Sequence, residues 1–143
     1  MALGSKLVPT RGSCRVMALS ISLGLMAGRA VAANISILDR SSAGSMIAVE
    51  GDLELGDGEK FATLVRAPGP GLIIFDSNGG NLLAGLRIGE LARSRGFSTL
   101  VLDGRTCASA CALAWLGGER RFLGPGARLG FHAAYASKEP LRR

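Results

Sequence analysis

A serine among small residues, one histidine and a pair of glycines are the parts of this chain best suited to chemistry. Ser109 lies in Cys107-Ala108-Ser109-Ala110-Cys111, and its small neighbours leave room for a backbone to approach. A serine hydroxyl is a weak nucleophile until a nearby base takes its proton. Histidine is the usual base, because its ordinary pKa is close to neutrality, and His132 is the single histidine of the chain. Gly79 and Gly80 end the stretch Asp76-Ser77-Asn78-Gly79-Gly80, between an apolar run and a helical pattern. Their N–H groups suit a phosphate or a developing oxyanion. The N–H of Ala110, next to the serine, is a second donor of that kind. Taken singly, each feature has a plainer account: a strand-to-helix turn at 76–80, a helix cap at Ser109 or Thr106, and a locally bonded histidine at 132.

Cys107 and Cys111 are four residues apart. On one regular helix they would share a face, but their Cβ directions would fit a bridge poorly. A disulfide becomes easier if Cys107 precedes the helix. The C-x-x-x-C spacing differs from the redox C-x-x-C motif, so a structural bridge is the simpler expectation. No metal site is expected, because one histidine and two cysteines at these spacings do not make a ligand set. The acids of 51–59 do not follow a calcium-loop pattern. No cofactor motif is present.

The elements that would hold these residues follow from hydrophobic periodicity. Residues 33–45 read as a flexible polar lead-in. Residues 46–49 form a short apolar strand that continues through 50–55, where Leu53 and Leu55 alternate with acids. Asp57 is the expected N-cap of a helix with Phe61, Leu64 and Val65 on one face. A Pro/Gly stretch at 67–71 ends it. Residues 72–75 are uniformly apolar, as in a strand buried on both faces. A second helix is predicted over 81–95, with Leu82, Leu83, Leu86, Ile88, Gly89 and Leu91 inward and Gly96 as its stop. A strand follows at 98–102, then a third helix over 106–116. Two short strands at 120–123 and 128–131 flank the Gly124-Pro125-Gly126 turn. Strands alternating with helices imply an α/β domain with a largely parallel sheet. Ligands gather at the carboxyl ends of such strands, and the turns 76–80 and 103–109 lie there.

The formal charge of +6 is concentrated at the N-terminus. Residues 1–32 hold Lys6, Arg11, Arg15 and Arg29 and no acid. The remainder is close to balance, and no basic stripe interleaves with aromatics, so no nucleic-acid partner is expected. A basic stretch, an apolar run over 16–27 and Ala30-Val31-Ala32 match the three parts of a secretory signal peptide, with Ala33 as the new N-terminus. The apolar run is shorter than the roughly 20 residues that span a bilayer. Membrane association is expected only if the segment stays uncleaved as an anchor, and the protein is otherwise expected outside the cytoplasm, in the periplasm or medium. Cys14 would leave with the signal.

As a set, these motifs resemble the ClpP/crotonase superfamily over residues 46–135. The segment IIFDSNGGNLLAGLRIGELARSRG is similar to the ClpP strand, Ser-x-Gly-Gly turn and helix. The segment TCASACALAWLGGERRFLGPGARLGFH is similar to the nucleophile helix, a Gly-rich turn and the strand that ends at the catalytic histidine. The intervals from Gly80 to Ser109 and from Ser109 to His132 are also similar, and the Cys-Ala-Ser-Ala-Cys and Gly-x-His elements resemble those of exported ClpP-like bacterial proteins. The resemblance implies a spiral of β-β-α units and a serine peptidase or hydrolase. Ser109 would be nucleophile and His132 general base. The N–H groups of Gly79 and Ala110 would form the oxyanion hole, with Gly80 shaping the turn. It implies a peptide or acyl substrate and assembly into homo-oligomers. Two departures stand out. The family draws an Asp from beyond the histidine, whereas here Glu139, in a polar tail at 136–143, is the sole acid after His132. Asp76 and Asp103 are upstream candidates for orienting it. The family's C-terminal helices are missing as well, so the domain is expected to be partial. The alternative function is a catalytically inactive domain that uses the same fold to bind a peptide or acyl ligand.

Overall fold

A computed structural model describes residues 32–42, 44–65 and 69–133. The signal peptide expected over 1–32 (save Ala32) and the polar tail with Glu139 lie outside the described residues.

The elements run β1 (Asn34–Ser41), β2 (Gly44–Glu50), α1 (Asp57–Leu64), β3 (Gly71–Asp76), α2 (Leu82–Ser94), β4 (Phe97–Val101), β5 (Thr106–Ala108), α3 (Ala110–Leu116), β6 (Arg121–Leu123) and β7 (Arg128–Gly130). A five-stranded sheet has the order β1-β2-β3-β4-β6. β1 pairs with β2 antiparallel, and the remaining pairs are parallel. β5 and β7 make a second, two-stranded parallel sheet. Isolated bridges Leu53–Gly80 and Ser77–Cys107 extend that second sheet across the earlier units. Each turn of chain therefore supplies a main-sheet strand, a short second-sheet segment and then a helix. This is a spiral of β-β-α units, an α/β architecture with a largely parallel sheet.

The core lies between the main sheet and the helices. Ile47 and Val49, Ile73 and Phe75, and Thr99 and Val101 alternate along their strands onto that face, together with Phe61 and Ile88. Phe61 and Phe97 meet edge to face with ring centroids 6.4 Å apart. Thr99 is polar and fully buried, and its hydroxyl donates to the Trp115 carbonyl at 2.8 Å, which removes the cost of an unpaired group.

Several expectations are corrected. Residues 33–45 are not a flexible lead-in. Ala33 is buried and β1 occupies most of the segment, because Ile35 reaches the core and the backbone pairs with β2. Asp57 does not cap α1; its carboxylate reaches back to accept the N–H of Glu54 at 2.8 Å, and the cap position is Gly56. β3 is covered on one face only, leaving Leu72 and Ile74 half-buried. α2 is rotated from the expected orientation. Leu82, Leu83 and Leu86 are exposed, and Ala84, Gly85, Ile88, Gly89, Leu91 and Ala92 face inward. The reason is close helix packing: a Cβ at Gly85 would lie 2.3 Å from the Ala110 carbonyl oxygen of α3. Small residues meet that helix and the leucines are turned out. The third helix does not begin at Thr106. Residues 106–108 are strand β5, held on both sides by Ser77 and β7, so tertiary pairing overrides a local preference for helix.

Candidate functional site

The site is assembled where β3 and β5 end. After Asp76 the chain is strapped to β5: Ser77 N–H donates to the Thr106 carbonyl at 2.8 Å, and Ala108 N–H donates to the Ser77 carbonyl at 3.0 Å. Gly79 and Gly80 then turn with φ of 108° and 119°, which side chains rarely adopt. Leu53 holds the turn by donating to the Gly79 carbonyl at 2.6 Å and accepting from Asn81 N–H at 2.7 Å. Asn81 caps α2, its side-chain oxygen accepting from Ala84 N–H at 3.0 Å. Space requires glycine as strongly as φ does. A Cβ at Gly79 would lie 2.6 Å from Ser109 Cβ, 2.7 Å from the Ala108 oxygen and 3.0 Å from Ala110 N.

Ser109 joins β5 to α3. Its φ of 54° and ψ of −122° make it the one non-glycine residue with positive φ among the described residues. These are the angles of the first central residue of a type II′ turn, where glycine is usual. A non-glycine residue in such a conformation stores about 1–3 kcal/mol of strain, and such residues cluster at functional sites. Its N–H donates to the Gly130 carbonyl at 2.8 Å, and its carbonyl accepts from Leu113 N–H at 3.2 Å. Ala110 opens α3, so its N–H belongs to the first-turn donors that have no intrahelical partner. Cys107 and Cys111 form a disulfide with Cα atoms 5.2 Å apart. Cys107 is in β5, before the helix, and both residues are fully buried.

His132 follows β7 by two residues and is exposed. β7 runs beside β5 with Gly130 opposite Ala108, so the strand that leads to the histidine lies alongside the strand that leads to the serine. His132 Nδ1 lies 2.9 Å from the Ala133 carbonyl oxygen. With the proton on Nδ1 the ring donates to that carbonyl, and in this tautomer Nε2 is the acceptor nitrogen.

The upstream acids are otherwise engaged. Asp76 accepts from the Arg105 guanidinium at 2.7 Å and from Thr106 N–H at 3.3 Å. Asp103 accepts Gly126 N–H at 2.7 Å and holds the turn before β7. The structure thus brings Gly79, Gly80, Ser109, Ala110 and the cysteine pair together and sets the His132 strand beside them, while Asp76 and Asp103 hold backbone and Arg105 instead.

Ser77 escaped the sequence reading. Its hydroxyl is buried and accepts the Gly79 N–H at 3.1 Å, so the expected oxyanion donor already has a partner. The Ser-x-Gly spacing is the usual signal for such a side-chain-to-backbone turn.

No protein-family model matches this chain, and no curated protein does. Among solved structures it is similar to a protein from Streptomyces coelicolor A3(2) assigned as an enoyl-CoA hydratase, with 11% identity and a TM-score of 0.49 over 79% of this chain. The chain spans about half of that protein, 52% of its length.

Proposed function

We propose that this protein is an exported serine hydrolase that cleaves a peptide or another acyl compound. The observation that carries the reading is the strained Ser109 at a strand-to-helix turn, against Gly79 and hydrogen-bonded to the strand that leads to His132. A sharp turn of this kind presents a nucleophilic oxygen, as in other serine hydrolases.

In this reading Ser109 Oγ attacks the carbonyl carbon of the substrate and His132 Nε2 takes its proton. The N–H of Ala110 receives the developing oxyanion, and the N–H of Gly79 joins it when the Ser77 hydroxyl turns away. Collapse breaks the bond to the leaving group, which receives the proton from His132. Water, giving its proton to His132, then hydrolyses the acyl-enzyme and restores the serine. The Ala133 carbonyl holds the imidazole tautomer, a task that an acid performs in the usual triad. Export agrees with the signal-like N-terminus and with the Cys107–Cys111 bridge, since disulfides persist in oxidising compartments. Homo-oligomers belong to the same proposal.

A fluorophosphonate probe tests it. Covalent labelling of the folded protein at Ser109, located by mass spectrometry and lost in Ser109→Ala, is the expected result. A folded chain that is not labelled would overturn it. The second reading, a non-catalytic domain binding a peptide or acyl ligand, is favoured by one observation: the Gly79 N–H is taken by Ser77. Ligand affinity that survives Ser109→Ala in a chain that does not label would support that reading.

A further inference from the structure

We infer that the Cys107–Cys111 disulfide is a positioning device for Ser109, holding its backbone in the turn that presents the hydroxyl. The inference rests on reading Ser109 as the nucleophile. Cys107 and Cys111 stand symmetrically about Ser109, two residues to either side. Each is fixed to a different rigid part. Cys107 lies in β5 between Ser77 and β7, through the Ser77 bridge and the pairing with Leu129. Cys111 lies in α3, which packs closely on α2 through Gly85 and Gly89. The one residue between these anchors that departs from ordinary backbone is Ser109.

A bridge around so short a loop gains less chain entropy than one around a long loop. Its effect is therefore local. It ties the strand end to the first turn of the helix and blocks the relaxation by which the serine would return to φ < 0. Such relaxation is otherwise resisted by Gly79 against the serine Cβ and by the Ser109-to-Gly130 hydrogen bond. Cys107 and Cys111 are positioning residues; neither is required to touch substrate.

The test replaces both cysteines by alanine and measures phosphonylation of Ser109 against probe concentration. The expected result is a maximal rate at least tenfold lower, with the half-saturating concentration within twofold of wild type. Amide exchange at Ser109 to Ala112 should rise at least tenfold, while α2 is unchanged. A double-mutant cycle supplies an activity-independent arm. If the bridge holds the serine against relaxation, removing it releases strain and lowers the melting temperature less with Ser109 present than in a Ser109→Gly background, where there is no strain to release. Equal losses in the two backgrounds, or failure of both to fold, would assign the bridge to the whole fold and overturn the inference. Unchanged labelling and exchange in a folded Cys107→Ala/Cys111→Ala chain would do the same. If wild type itself does not label, the hydrolase reading fails, and the exchange and the cycle still decide the role of the bridge.

Discussion

The amide of Ser109 donates to the carbonyl of Gly130 at 2.8 Å, so the serine and the strand two residues before His132 are a single hydrogen-bonded unit. The relative position of Ser109 and the segment leading to His132 is set by backbone, with β5 and β7 in parallel register. His132 itself is exposed, so removing its ring costs little packing. His132→Ala should leave the melting temperature within about 2 °C, since exposed substitutions are worth within about 0.5 kcal/mol. Probe labelling of Ser109 should fall by about 10²–10⁴, the usual contribution of a general base. Labelling that persists at the wild-type rate would remove the histidine from the mechanism.

Ser77 holds the Gly79 N–H at 3.1 Å inside a buried turn. Ser77→Ala deletes the acceptor and leaves the Gly79 N–H without that partner. The expected outcome has two parts of opposite sign. Stability should fall by about 1–3 kcal/mol, the cost of an unsatisfied buried donor, read by urea unfolding. Phosphonylation of Ser109 should become faster, because the donor no longer has to leave a partner to meet the oxyanion. A lower stability with a slower reaction would mean that Ser77 serves the turn and does not compete for the oxyanion donor.

Asp103 spends its carboxylate on the N–H of Gly126 at 2.7 Å. It supports the turn into β7. Asp103→Ala should lower stability by about 0.5–1.5 kcal/mol, one net hydrogen bond, and leave the labelling rate within threefold. A loss of a hundredfold or more would instead make it an orienting acid of the histidine.

The legible parts of the molecule were those fixed by local pattern. The β-α rhythm from residue 46, the apolar strands at 72–75 and 98–102, the Gly79-Gly80 turn and the neighbourhood of Ser109 all follow from periodicity and turn chemistry. Three features did not, and each has a tertiary cause. β1 carries Leu38, Asp39 and Arg40 on an edge with little burial, so its alternation is weak and the pairing with β2 decides it. Thr106–Ala108 is small and reads as helix, but it is gripped by Ser77 and β7 from positions distant in sequence. The leucines at 82, 83 and 86 imply an inner face that close approach of α2 to α3 reserves for glycine and alanine. The same limit applies to the site. Spacing picked out Ser109 and Gly79, whereas the Ser77 latch and the Ala133 carbonyl on His132 are contacts that spacing alone does not encode.

The conformation of Ser109 separates stability from function. Its φ of 54° and ψ of −122° suit glycine, so the serine side chain is carried at a cost. Ser109→Ala removes the hydroxyl but keeps Cβ and the strain. Ser109→Gly removes both, at the expense of the extra backbone freedom that glycine has in the unfolded chain, which offsets part of the gain. Ser109→Gly is therefore expected to be more stable than Ser109→Ala by about 1 kcal/mol, the lower end of the strain range. That is a rise in melting temperature of about 4–8 °C in a domain of this size. Neither variant should label. The ordering of the two melting temperatures is the decisive reading. If Ser109→Ala is the more stable, the turn is not strained, and the serine is at the junction because it suits the backbone and not because a reaction requires it there.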